Sequence, residues 1–270
     1  MKENEDRLGR RDFLKASAIV AATILVRPVA HIPPEQPDEC IPQGVTPELQ
    51  EFLASHEVRK GDIDRNVVLM TYDDFGNHER FNAILDTYQE LGAKATFFVP
   101  GGYARDKIYL RYYSREIERI VAEGHALGCH GLIHEPLTVY KKDQLSKDIR
   151  QWLGLVSSIV PGYEVKYFRF PFGASDQDAR EVFAEYGLQS VLWSLESGGT
   201  EERTLQNVLE RVSAGDIVLS HTPRFYDAYY SRQIVESLLS SGYSLESVAT
   251  GLKKEDCPSA RLDPQECPNN

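Results

Sequence analysis

Apolar positions along this chain gather in short runs, separated by stretches in which they recur every three or four residues. The runs at 67–71, 95–99, 126–129, 167–170, 190–195 and 217–220 are short and rich in β-branched and aromatic residues, which predicts strands. Helical periodicity between them predicts helices over 79–91, 114–123, 142–159, 176–186 and 204–212, with a last one at 232–241. Turn signals such as Leu91-Gly92-Ala93 and Tyr186-Gly187-Leu188 close helices just before the next strand. Strict β/α alternation predicts an α/β fold with a parallel sheet, either a barrel or an open doubly wound sheet. In both, chemistry gathers at the carboxyl ends of the strands.

That rule turns scattered polar residues into a constellation. Asp73 and Asp74 follow the first strand, His130 the third, Glu196 the fifth and His221 the sixth, while Arg169 ends the fourth. Residues far apart in sequence are therefore expected on one face.

The chain outside this region divides by composition. Residues 1–30 begin with a charged stretch containing Arg10 and Arg11, continue with an apolar run from Ala16 to Val26 and end in small residues near Ala30. The run is too short for a stable membrane span but suits an export signal, and RRDFLK resembles the twin-arginine address read by export machinery. An extracytoplasmic location (periplasmic, cell-surface or secreted) is the expectation. Residues 31–60 are Pro-rich and read as a linker with one short helix near 47–56; 61–252 read as one folded domain, and 253–270 as a tail containing Cys and Pro. Cys40, Cys257 and Cys267 lie in Pro-rich segments at the two ends of the chain, where a disulfide is plausible in an exported protein but its pairing is not legible; Cys129 reads as a small core residue.

Composition narrows the partner. The 270 residues are 41% apolar, enough for one large core, and the formal charge is −11. Phosphate binding needs a clustered basic face, which this chain lacks, so nucleic acid is excluded and an uncharged substrate fits better.

The candidate chemistry is metal-assisted hydrolysis. CHGLIH sets His130 and His134 four residues apart, so a helical turn or a tight loop can aim both imidazoles at one ion. Two histidines and one carboxylate leave open positions on a divalent metal, as catalytic sites require. The pair Asp73-Asp74 then divides its labour: one carboxylate ligates the cation and the other serves as base, the cation offsetting their repulsion. Arg169, alone among the aromatics of YFRFPFG, needs an anion, and Asp73 is the candidate. Pro171 fixes a turn that lets the backbone N–H of Phe172 face a developing oxyanion. His221, at the end of GDIVLSHT, is the candidate proton donor. His125, in EGHALG, reads as structural.

The segments TYDDFG, HGLIH, RFPFG, WSLESGG and IVLSHT resemble, in order, the five motifs of the polysaccharide deacetylases with a NodB homology domain, carbohydrate esterase family 4. The likeness spans residues 63 to about 250. It implies a single-domain distorted (β/α) barrel with fewer than eight strands and hydrolysis of N-acetyl groups on a chitin- or peptidoglycan-like glycan. It also implies a divalent cation, with zinc first and cobalt or another ion as alternatives. By position, Asp73 matches the family's base, Asp74, His130 and His134 its metal ligands, Arg169 the residue holding the base, Phe172 the oxyanion-binding backbone and His221 the acid.

The sequence departs from the family pattern in two motifs. Phe75 stands between the Asp pair and Gly76, where the family has Gly at once. In the fourth motif Glu196 precedes Ser197-Gly198-Gly199-Thr200, where the family has Asp, a second Asp and Trp; Glu196 is expected to tune His221 with a longer reach. The same site suits acetyl esters on glycans or a small-molecule amide, and the altered motifs admit a non-enzymatic carbohydrate-binding protein on the same fold.

Overall fold

The computed structural model describes residues 45–253 and Asp256, all within the unit Gln36–Asn270. The expected export signal, Cys40, Cys257, Cys267 and nearly all of the C-terminal tail lie outside the described residues.

The order of elements is α1 (Pro47–Ser55), β1 (Glu57–Val58), β2 (Val67–Asp73), α2 (His78–Leu91), β3 (Thr96–Val99), a hairpin of β4 (Gly102–Ala104) and β5 (Lys107–Ile108), α3 (Ser114–Ala122), β6 (Ala126–Cys129) and α4 (Lys142–Ile159). There follow β7 (Tyr167–Phe168), α5 (Gln177–Glu185), β8 (Gln189–Val191), β9 (Leu195–Glu196), α6 (Glu201–Arg211), β10 (Ile217–His221), α7 (Phe225–Tyr229), α8 (Ser231–Ser240), β11 (Ser244–Leu245) and α9 (Val248–Gly251). The main sheet is parallel throughout, in the order β1-β8-β7-β6-β3-β2-β10-β9, with β11 joining β2 at its first two residues. Every residue of β2 is buried, as a central parallel strand covered on both faces requires.

The expected strand over 190–195 is two strands. Its first part pairs with β7 and its last part with β10, so one run of chain links two strands that are not neighbours and curls the sheet into a distorted barrel. The break has a buried cause. The carbonyls of Val191 and Leu192 accept from the Arg169 guanidinium, each at 3.0 Å, instead of a strand.

Elsewhere the local signals hold. Helix α4 has the expected bounds, and Gly92 and Gly187 end helices in the left-handed conformation. Helix α6 starts three residues earlier than periodicity suggests, because the Thr200 hydroxyl caps it by accepting from the Arg203 N–H. Residues 47–58, expected in the linker, belong to the barrel: β1 pairs with β8, and Leu49 and Leu53 of α1 share a buried cluster with Ala184. Cys129 is a free, buried thiol, as expected of a core residue.

Candidate active site

Strand β2 leads into two adjacent carboxylates and aims them differently. Asp73, its last residue, is buried, and its Oδ1 accepts from Arg169 Nη1 at 2.7 Å. Asp74 leaves the strand with φ +71°, a left-handed conformation costly for a residue with a Cβ. Hydrogen bonds hold that turn: the Asp74 N–H donates to Phe98 O at 3.1 Å, Thr222 Oγ1 donates to Asp74 O at 2.9 Å, and the Thr222 N–H donates to Asp73 O at 3.0 Å.

Phe75 is absorbed into the core. Its ring is buried and stacks on Tyr113, centroids 4.1 Å apart and 4° from parallel, and its N–H donates to the Tyr103 hydroxyl. The next residue must be glycine, because a Cβ on Gly76 would lie 2.4 Å from the Thr222 carbonyl oxygen. The inserted residue therefore braces the turn from below.

His130 and His134 follow β6 on a loop rather than a helical turn. His130 Nδ1 lies 2.9 Å from the Arg169 carbonyl, which can only accept, so Nδ1 carries the proton and Nε2 keeps its lone pair for a cation. His134 is held by its N–H on Gly102 O, and its Nε2 lies 3.2 Å from Asp74 Oδ1. Ligand atoms of Asp74, His130 and His134 all lie within 4.8 Å of one another. Burial lowers both imidazoles, His130 to about 4, and pushes the Asp74 carboxyl up to about 6. Neutral imidazoles are the ligand form, and a bound cation offsets the burial of the Asp74 charge. Asp74 Oδ1 is buried with no hydrogen-bond partner, as an atom reserved for a metal would be. The residues fit a divalent ion.

Arg169 is the centre of the buried polar network. It is fully buried, donates to Asp73, Thr71 and the two freed carbonyls of 191 and 192, and lies over Phe98 at 4.2 Å. Phe172 is 66% exposed with φ +60°, its ring 4.6 Å from that of His134. Asp74 and Phe172 are the only residues other than glycine with positive φ among the described residues, and both lie here. The indole of Trp193 closes over this turn, at a distance that only glycine at 173 permits.

His221 ends β10 directly opposite Asp73 in the ladder. Its Nδ1 is buried without a partner, and burial lowers the ring to about 4 against the upward pull of Asp73. Glu196 does not back it. The Glu196 carboxylate is exposed and accepts from Arg224 at 3.1 Å. The buried carboxylate on this side is Asp227 of α7, which sequence reasoning missed. It accepts from the His221 N–H at 2.8 Å and from the Ser197 hydroxyl at 2.7 Å. Burial raises its pKa. Its only sequence signal is a lone acid among aromatics in FYDAYY, in a stretch without strand or helix periodicity.

Comparisons with known proteins converge on one group. The family model described as polysaccharide deacetylase matches residues 60–191. The chitooligosaccharide deacetylase of Rhizobium leguminosarum bv. trifolii is 31% identical over 165 residues, 60% of this chain and 73% of that protein. A peptidoglycan-N-acetylglucosamine deacetylase of Bacillus cereus is 26% identical over 166 residues, 60% of this chain and 58% of that protein. Among solved structures, the peptidoglycan deacetylase PdaC of Bacillus subtilis is similar at 25% identity with a TM-score of 0.61, over 69% of this chain and 90% of that one. BA3943 of Bacillus anthracis, described as a CE4 family pseudoenzyme, shares the fold at 19% identity with a TM-score of 0.67, over 75% of this chain and 71% of that one.

Proposed function

The chain belongs to the polysaccharide deacetylase family, and from that premise we propose that it hydrolyses N-acetyl groups of an amino-sugar glycan of the chitooligosaccharide or peptidoglycan type. The observation that carries this reading is the Asp74, His130 and His134 cluster beside the buried Asp73–Arg169 pair.

A divalent ion held by Asp74, His130 and His134, zinc first and cobalt among the alternatives, supplies Lewis acidity to the acetyl carbonyl and acidifies water. Arg169 occupies Oδ1 of Asp73, leaving Oδ2 to take the proton of the attacking water. A C–O bond forms at the acetyl carbon, and the Phe172 N–H meets the oxygen on which charge gathers. The C–N bond then breaks, and His221 gives a proton to the leaving amine. The Asp73 carboxylate, before it takes the water's proton, favours the cationic ring that burial disfavours. Glu196 pairs with Arg224 and makes no contact with the His221 ring.

The test is acetate release from N-acetylglucosamine oligomers and peptidoglycan fragments, with O-acetylated xylan as the ester control. Zinc- or cobalt-loaded protein is expected to release acetate from the N-acetyl substrates, and Asp73→Asn to lower kcat by about 10² to 10⁴. A chelator is expected to abolish release. Turnover of the ester alone, or glycan binding without any product, would overturn the reading. No helix among the described residues is long and apolar enough to cross a membrane. Export through Arg10 and Arg11 belongs to the same proposal, and an unchanged location after Arg10→Lys with Arg11→Lys would sink it.

A further inference from the structure

We infer that helix α7 carries a stacking platform for a sugar ring other than the one that loses its acetyl group; this rests on the deacetylase reading and specifies an oligomeric substrate. Phe225 and Tyr229 stand four residues apart, which puts them on one face of the helix. Their rings lie 5.5 Å apart and 19° from parallel, at 51% and 65% exposure. Stacked in this way, Phe225 backs the more exposed Tyr229 ring, which offers an apolar surface of the span of a pyranose ring, whose face of C–H groups suits the negative face of an aromatic ring.

The platform is tied to the site. Asp227, on the buried side of α7, holds the His221 N–H and the Ser197 hydroxyl, so one short piece of chain fixes both the proton donor and the exposed rings. The Arg80 guanidinium lies over Phe225, 5.4 Å from its centroid, and is itself held by the Pro223 carbonyl at 3.0 Å, which fixes the ring that backs Tyr229. Exposed apolar surface that is ordered and contiguous marks a binding face. Its setting agrees: of the eight large apolar side chains exposed among the described residues, seven lie in the segments that follow β3, β6, β7 and β10 of the main sheet, and six of those are aromatic; the eighth is Ile63, between β1 and β2. A ligand longer than one sugar explains that concentration on the catalytic end. Nucleic acid bases also stack on aromatic rings, but a chain of net charge −11 repels their phosphates.

The experiment compares the wild type with Phe225→Ala/Tyr229→Ala on the dimer and hexamer of N-acetylglucosamine, metal-loaded, and measures hexamer binding by calorimetry. The double variant is expected to lower the hexamer-to-dimer ratio of kcat/KM about tenfold and to weaken hexamer binding by a similar factor. The exchange Phe225→Tyr/Tyr229→Phe is expected to restore both. An unchanged ratio, or equal losses on dimer and hexamer, overturns the platform while leaving the deacetylase reading standing. No turnover by the wild type, with hexamer binding that still depends on the two rings, overturns the deacetylase reading and supports the platform. A wild type that does not bind the hexamer overturns the platform. So does a wild-type dimer that the double variant converts to monomer with hexamer turnover intact, since the rings would then cover a second copy.

Discussion

The turn after β2 and the turn after β9 both depart from the family's pattern, and the molecule accommodates them in opposite ways. After β2 the extra residue is aromatic and goes inward, where Phe75 packs on Tyr113 and supports the strained Asp74. After β9 the altered residue is charged and goes outward, where Glu196 pairs with Arg224 and the buried hydrogen-bonding duty passes to Asp227. An apolar departure can be used where it stands, because burial needs only space and contacts. A carboxylate must meet a donor or water, so the position that can supply a buried donor takes the role.

This contrast is open to measurement. Phe75→Ala removes a buried stacked ring next to Asp74, the proposed ligand, and an unfolding free energy lower by about 3–5 kcal/mol is expected in urea denaturation, with a fall in metal affinity by titration. If the turn is only decorated by Phe75, metal affinity stays unchanged.

Asp227→Ala leaves the His221 N–H and the Ser197 hydroxyl buried and unpaired, at an expected cost of about 1–3 kcal/mol, with a lower kcat and a shifted pH–rate profile. Asp227→Asn, which keeps an acceptor, is expected to recover part of kcat. A profile identical to wild type in both variants would show that Asp227 does not position His221.

His125, at the amino end of β6 and outside both turns, serves as the reference. Burial lowers it to about 4, so the unfolded chain binds its proton below the ordinary value of 6.5 while the folded chain does not. Stability is therefore complete above 6.5 and is lost as pH falls towards 4, at about 1.4 kcal/mol per pH unit from this residue. His125→Asn, able to keep an acceptor for the Ala95 N–H, is expected to flatten the urea midpoint against pH by that amount. An unaltered slope would mean that the ring is solvated in the folded state.

Glu196→Gln is the smallest change. The ion pair is exposed, and a stability effect within about 0.5 kcal/mol is expected with little change in the pH–rate profile. A large shift of the profile would restore the expectation that Glu196 tunes His221.

Much of the molecule was legible before any coordinates. The alternation of strands and helices, the bounds of α4 and the placing of Asp73, His130, Arg169 and His221 at strand ends follow from periodicity and from the rule that parallel sheets present chemistry at their carboxyl edge. The Asp73–Arg169 pair was foreseeable because a buried guanidinium demands an anion.

Other features depend on groups that meet only in the folded chain. The break between β8 and β9 exists because Arg169, 22 and 23 residues away, takes two carbonyls that a continuous strand would have used. Asp227 gains its role from an N–H six residues back and a hydroxyl thirty residues back. Glu196 finds its partner 28 residues on, and Phe75 stacks on Tyr113, which a later 3-10 turn supplies. Local pattern thus determined which residues reach the site, because strand and helix periods are properties of neighbouring positions. Tertiary structure decided which polar atom each one meets, because satisfying buried donors and acceptors depends on the whole barrel.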